Sequence, residues 1–397
     1  MSGFLVAAVL ASGLCMAGPL DERTIVVQTP PRASWFVPLS LPYDGPGPTG
    51  RIEVVDDATG KRFPATVRDG QFVFVVEGLL PKATYRYGVK AAAEKRSFRV
   101  QVKKAPDAAR LNVYVDGALL TSYHYSDDMR RPYLWPVLAE GGVPVTRDWP
   151  MGKAITTTDH EHHRSIWTAY GDLNGVDCWT EHKGTGYQHA DVVSWRSGDA
   201  FGWIHAKNTW QDKDRKAVID EVREYRFHAT PAGRRLIDVQ VTFSAAHGDV
   251  LFKDTKEGGI VAVRVRDELT VDEKGTITNS AGGKNESECW GKPAAWLDYS
   301  GPIEGVGVRG IAVFDHPGNL RHPTRWHARN YGLMAANCFG LGAFTNGVEN
   351  GDYTLESGES LTFHYRILIH SDSPEAANVA DRYADYAAPP AAAWAEE

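Results

Sequence analysis

The chain has 397 residues, 43% apolar and 23% charged. That is ordinary globular usage over a length that suits two domains, and it excludes a disordered chain. Its 43 basic and 50 acidic residues give a formal charge of −7, and without any Lys/Arg run a nucleic-acid partner is not expected. Tryptophan and histidine are the unusual residues, at 12 and 14. Ten of the tryptophans lie between Trp135 and Trp326. An indole needs a large pocket and a partner for its N–H, so this stretch is either an aromatic core or a set of flat apolar platforms on which sugar rings stack.

At the N-terminus, Phe4–Leu14 is a short apolar run followed by small residues. Residues 1–17 read as a secretory signal peptide cleaved near Ala17, which makes the expected location exported and periplasmic. No other run reaches the roughly 18 apolar residues of a spanning helix, so no membrane span is expected. Beyond Cys15 the cysteines are Cys178, Cys289 and Cys338, an odd count that permits at most one disulfide and contains no CxxC pair.

Residues 18–106 read as a small all-β unit of immunoglobulin or fibronectin type. Its strand-like runs are RIEVV, QFVFVVEGL, ATYRYGVKA and RSFRVQVKK, punctuated by polar turns. An Ala-rich link around Pro106 marks the expected boundary. Residues 107–390 again read mostly as strands, among them RLNVYVDG, FGWIHAKNTW, EVREYRFHAT, RLIDVQVTFSA, GGIVAVRVRDEL and SLTFHYRILIHS. Helical spacing is convincing only in AANVADRYADYA at 376–387. The fold class expected is therefore all-β, with a large antiparallel sandwich after the small unit. No GxGxxG, GxxxxGK[ST] or GxSxG is present, which removes nucleotide-fold and serine-hydrolase readings.

Three blocks carry chemistry. The densest is Asp159-His160-Glu161-His162-His163-Arg164, followed by Trp167, Tyr170 and Trp179. Read as an extended segment, it puts His160 and His162 on one face, a workable pair of ligands for a divalent metal. Imidazoles also suit acid–base work near neutral pH, and Arg164 suits an anionic group. The second block runs from Asp315 and His316 through His322 to Trp326, His327, Arg329 and Tyr331, a strand end feeding a loop of His and Arg. In the third, Glu257 stands beside Lys256 before two glycines. Arg130-Arg131, Glu181-His182 and His189 are weaker signals.

The ordered blocks RPYLWPV, GGVPVTRDWP, DHEHHRSIWTAYGDLNGVDCWTE, KDTKEGG, AAWLDYSG and FDHPGNLRHPTRWHARNYGLMAANCFG resemble the bacterial family labelled "methane oxygenase PmoA-like", a domain of unknown function abundant in glycan-degrading bacteria. The resemblance covers roughly residues 110–372. Ser165 replaces the glycine of that family's usual DHxHHRG. Methane oxidation by a membrane subunit of long apolar helices does not fit a chain of mean hydropathy −0.34. What the resemblance implies instead is a β-sandwich, comparable to the galactose-mutarotase supersandwich, in an exported protein of carbohydrate metabolism.

The resulting expectation is a carbohydrate-active enzyme, a lyase or glycoside hydrolase, acting on an oligo- or polysaccharide. His162, His163, Arg164, Glu257, His316 and Arg329 are the expected catalytic groups. Trp167, Trp179, His189, Asp315, His322, Trp326, His327 and Tyr331 are the expected substrate contacts. A hydrolase needs two carboxylates, for which Glu257 and Asp315 are the candidates. The alternatives are a glycan-binding protein without catalysis and a metal enzyme with His160 and His162 as ligands; no cofactor is certain.

Overall fold

The computed structural model describes residues 19–48, 50–92, 97–153, 157–231 and 234–396. The expected signal segment, Cys15 included, lies outside the described residues. The protein is about 50% strand and 7% helix, the all-β class that the turn-punctuated strand runs predict.

Two eight-stranded antiparallel sheets face each other. In order across the first run the strands Trp326–Arg329, Leu333–Ala336, Gly258–Arg264, Ile166–Tyr170, Tyr133–Val137, Ala118–His124, Arg110–Val115 and Val100–Lys104. The second runs Tyr187–Arg196, Phe201–Gln211, Ala217–His228, Arg234–Ser244, Ser360–Ser371, Gly307–Asp315, Trp296–Ile303 and Thr276–Asn279. Side chains alternate across a pleated strand. Ile166, Tyr170, Val261, Val263, Trp326, Ala328 and Met334 of the first sheet meet Ile204, Tyr225, Val239, Ile311 and Ile367 of the second in one continuous core. The intervening residues of both sheets therefore point to the two outer faces.

The N-terminal unit is a seven-stranded antiparallel sheet, Ser34–Pro42, Gln71–Leu79, Arg62–Arg68, Ile52–Asp56, Thr84–Ala91, Thr24–Gln28 and Ala391–Trp394. It achieves a two-layer arrangement by curling over its own core of Val37, Leu39, Val54, Phe72, Phe74 and Tyr87. Its two edges meet where the Trp394 indole donates to the Pro42 carbonyl at 2.9 Å and packs edge-on against Phe72. The boundary expected near 106 moves forward, because Val100–Lys104 pairs with Arg110–Val115 in the first large sheet. Two apolar contacts help dock the unit on the sandwich, beside the Arg51–Asp199 pair and Arg68 over the Trp203 ring at 3.8 Å. Val73 and Val75 pack on Ala200 and Phe201, and the helix Val379–Ala387 lies between Phe36 and the outer face of the second sheet at Phe314 and Leu368.

The strand Ser34–Pro42 carries two prolines, which cannot donate to a ladder, and it sits at a sheet edge as that requires. Among the described residues, Cys178, Cys289 and Cys338 are buried free thiols and form no disulfide. No described helix is long and apolar enough to cross a membrane.

Trp394→Ala removes the indole that joins the two edges of the small sheet. It is expected to destabilise the protein by about 2 kcal/mol, below the full cost for a buried aromatic because Trp394 is half-buried. Chemical denaturation of the variant against the parent chain checks this.

Candidate functional site

The first polar block folds as a turn rather than the extended segment expected from its sequence. His163 N–H donates to the His160 carbonyl at 2.9 Å, and His160 and Ser165 both adopt positive φ, at 46° and 59°. Ser165 thus stands in the left-handed conformation that a glycine takes without strain. Its hydroxyl compensates in part by donating to Thr146 Oγ1 at 2.8 Å.

Because the block turns, its imidazoles gather. The His160 ring stacks on His163 at 4.8 Å and on Tyr331 at 4.9 Å, and His162 meets His163 edge-on at 4.4 Å. Beneath them lie Trp167, stacked on His163 at 5.3 Å, and Trp179, 5.5 Å from Trp167. Trp179 in turn stacks on His327 at 6.5 Å. This is the outer face of the first sheet, reached by pleat alternation: Ile166 points to the core and Trp167 outward, Val263 inward and Arg264 outward, Trp326 inward and His327 outward.

Arginines surround the cluster. Arg264, 1% exposed, donates from Nη2 to Asp159 Oδ1 at 3.0 Å, has Nη1 3.3 Å from His163 Nδ1, and lies over the Tyr331 ring at 4.6 Å. Arg147 Nη1 donates to the same Asp159 oxygen at 2.6 Å, and its Nη2 to the Asp159 and His160 carbonyls. Arg164 clamps Glu181 with two hydrogen bonds, at 2.7 and 2.5 Å, and Arg131 Nε stands 3.5 Å from the same carboxylate. Four guanidiniums thus meet four carboxylates, Asp159, Glu181, Asp267 near Arg147 and Asp177 near Arg131, so the charges balance while Arg264 and Arg147 share one carboxylate, Asp159.

Charge and burial set the protonation states. Burial opposes ionisation of Asp159, but Arg264, His160 and Arg147 outweigh it and hold the carboxyl at about 2. Burial, then the nearby Arg131, pushes His162 down to about 3. Burial with His162 and Arg264 takes His163 well below its usual value, and burial with Lys256 and Arg329 takes His327 to about 3. The Tyr331 hydroxyl is raised, burial outweighing Arg264 and Arg329. At neutral pH the site therefore combines neutral imidazoles, a protonated phenol and fixed cations, a set that can take up a proton, donate one and neutralise an anion.

Several expected residues have other roles. Trp167, Trp179 and Trp326 are all 1% exposed or less, so none is an open stacking platform; Trp167 and Trp179 form the floor of the cluster. Trp326 faces the core, where its indole donates to the Ala294 carbonyl at 2.8 Å. Glu257 pairs with Lys256, near enough to Tyr331 to act on its hydroxyl. Arg329 pairs with Glu286. His189 lies between Asp127 and Asp191 on the strand Tyr187–Arg196. The 315–322 half of the second block does not join the cluster. Buried Asp315 accepts from Asn319 and from the Thr324 backbone, both at 2.8 Å, and pairs with His322, while His316 packs on His364 and Tyr386.

Asp315 and Glu257 thus do not form a facing carboxylate pair. Among the described residues, no three His, Cys, Asp or Glu side chains are grouped to hold a metal ion, so His160 and His162 lack a third ligand there.

Sequence reasoning missed Arg147, Arg264 and Glu286. The clearest missed signal is Arg264, a charge inside the apolar run GGIVAVR whose seven residues are all buried. Such a charge is rarely accommodated without dedicated partners.

The fold and the cluster define an all-β sandwich protein with an imidazole- and arginine-lined face on the outside of one sheet. A model described as a family of unknown function, DUF6807, matches residues 110–384, and the chain belongs to that family. The match takes in the cluster and leaves out most of the small N-terminal unit. No curated protein matches the chain. Among solved structures it is similar to the crystal structure of the Slr1438 protein from Synechocystis sp. PCC 6803, with 10% identity over 70% of this chain and 100% of that one, at a TM-score of 0.31.

Asp159 tests the electrostatics. Its folded pKa lies below its usual 3.8, at about 2. Its ionised form therefore stabilises the fold above about pH 4, and that contribution is lost as pH falls toward 2. The stability gap between the parent chain and Asp159→Asn, read from urea denaturation at successive pH values, is expected to close over that window.

Proposed function

We propose that this protein is a carbohydrate-active enzyme of the lyase type, acting at the 159–164 turn on an oligo- or polysaccharide that carries a carboxylate. The observation that carries the reading is the group of neutral imidazoles, His162, His163 and His327, set on one sheet face among the guanidiniums of Arg131, Arg147, Arg164 and Arg264. Elimination needs a base for the proton next to a carboxylate, a cation for the charge that develops there, and an acid for the departing oxygen. His162, the half-buried imidazole of the turn, takes the proton, and an anionic substrate alongside raises its proton affinity. Arg264 and Arg147, buried and bonded to Asp159, stabilise the enolate through their field rather than by contact. The Tyr331 hydroxyl protonates the glycosidic oxygen as its bond to carbon breaks.

Hydrolysis is less well supported, because Asp315 is enclosed in its own loop and Glu257 is tied to Lys256. The aromatic floor holds the imidazoles in place instead of stacking on sugar. Export to the periplasm belongs to the same reading and rests on the apolar sequence of residues 4–14.

The test is incubation with uronate-containing polysaccharides, followed by ultraviolet absorbance of the unsaturated chain ends and mass spectrometry of the products. His162→Ala is expected to lower kcat by about 10²–10⁴-fold with the fold intact, the usual weight of a positioned acid–base group. Arg264→Lys, which keeps the charge but loses the fork, is expected to lower it as well. Full turnover in both variants overturns the assignment. Glycan retained without any product replaces it with non-catalytic binding.

A further inference from the structure

The outer face of the second large sheet carries a separate cleft of about 230 Å³, lined by Glu224, Arg226, Gln240, His316, His364 and Tyr386. Its floor is built by register. Glu224 lies opposite Gln240, and Gln240 opposite His364; one row over, Arg226 lies opposite Asp238, and Asp238 opposite Arg366. Directly opposed side chains of an antiparallel pair are within reach of one another, so these rows form a continuous polar floor. Further along the same strands the paired positions are Thr242 with Thr362 and Ser244 with Ser360, short side chains that leave no depth. The walls come from outside the sheet. His316 follows the strand Gly307–Asp315, and Tyr386 belongs to the helix Val379–Ala387. Their rings meet edge-on at 5.3 Å, and His316 also meets His364 at 5.7 Å.

The charges of this cleft cancel locally. Arg226 Nε donates to Glu224 at 2.6 Å. Arg366 clamps Asp238 with two hydrogen bonds, and His228 holds the second Asp238 oxygen at 2.8 Å. Burial lowers the pKa of both His316 and His364, which keeps them neutral near pH 7. Hydrogen-bonding capacity nevertheless remains. His316 Nδ1 accepts from the Gly318 N–H at 3.0 Å, which leaves its Nε2–H as a donor. Among the described residues, neither the Gln240 amide nor the His364 imidazole has a side-chain hydrogen-bond partner. A net-neutral cleft that offers donors, acceptors and one aromatic wall matches an uncharged polyhydroxylated ring better than an anion or a metal ion. Its volume lies below the roughly 300–1,000 Å³ of sites for drug-sized ligands, which fits one ring and not a chain.

We propose that this cleft is a binding site for a single neutral sugar residue, distinct from the imidazole turn on the opposite sheet. Tyr386, whose ring is held by the Arg366 guanidinium 4.6 Å over it, supplies an aromatic wall, and Gln240, His316 and His364 bind the hydroxyls. The experiment uses the full chain and a panel of methyl glycosides of neutral hexoses, with methyl uronates for comparison, read by saturation-transfer NMR and calorimetry. At least one neutral glycoside is expected to bind. Tyr386→Ala and the Gln240→Ala/His364→Ala double variant are expected to weaken it at least tenfold, while Tyr386→Phe retains most of it. Circular dichroism checks the fold of each variant, and the exposed His364 alone provides a second, milder substitution. Binding that survives all of these changes, that is lost only in His162→Ala, or that is found for uronates alone overturns the proposal, as does failure of every neutral glycoside to bind. Loss of turnover in His162→Ala with the cleft variants fully active and still unable to bind the glycoside separates this site from the proposed elimination site.

Discussion

The guanidinium of Arg264 is the constraint around which the candidate site is organised. It emerges from a strand buried along its whole length, where an unpaired charge costs on the order of several kcal/mol. No partner on its own strand meets it. Asp159, His163 and Tyr331 come from two other segments, and satisfying this one cation draws the 159–164 turn and the loop after Arg329 to the same place. Arg147 then shares Asp159, which fixes a third segment. The depressed imidazole pKa values follow, because the same crowding of cations and aromatic rings that solves the charge problem removes water from the histidines.

Pleat parity distributes the chemistry. In both large sheets the inward residues make one largely apolar core, into which the buried Arg223–Glu221 pair is set with Gln188 and Trp210 as hydrogen-bond partners, while the imidazole turn and the second-sheet cleft stand on outer faces. That arrangement lets one sandwich carry two unlike clusters back to back, an imidazole- and arginine-lined face on one side and a cleft of paired charges and neutral polar groups on the other. Between them runs a close-packed core, so substitutions on one face should leave the other unperturbed.

The fold class was legible because alternation and turn residues dominate the sequence. Phe201–Gln211, Arg234–Ser244 and Ser360–Ser371 lie where their patterns put them. Ile166–Tyr170 was hidden, since a strand buried on both faces has no alternation to read. The polar block was recognisable as a site from composition, but its shape was not. Local sequence does not announce that His160 and Ser165 take positive φ, and an extended reading scatters the rings that the turn collects. Trp326 and His327 show the same limit at finer scale, since adjacent residues face opposite sides of the sheet and only strand parity decides which one reaches the site. Asp315 and His316 looked like companions of His327 in one loop, yet they end a strand of the other sheet.

The closing strand Ala391–Trp394 has a consequence for the order of assembly. Thr24–Gln28 is made before the large sandwich, yet one of its two neighbours is synthesised more than 360 residues later. Until then a row of backbone donors and acceptors beside Ile25 and Val27 stands open, the kind of edge that recruits strands from other molecules. The small unit can complete its sheet only once the large sandwich has been translated, so its integrity reports on whether synthesis has run through residue 394.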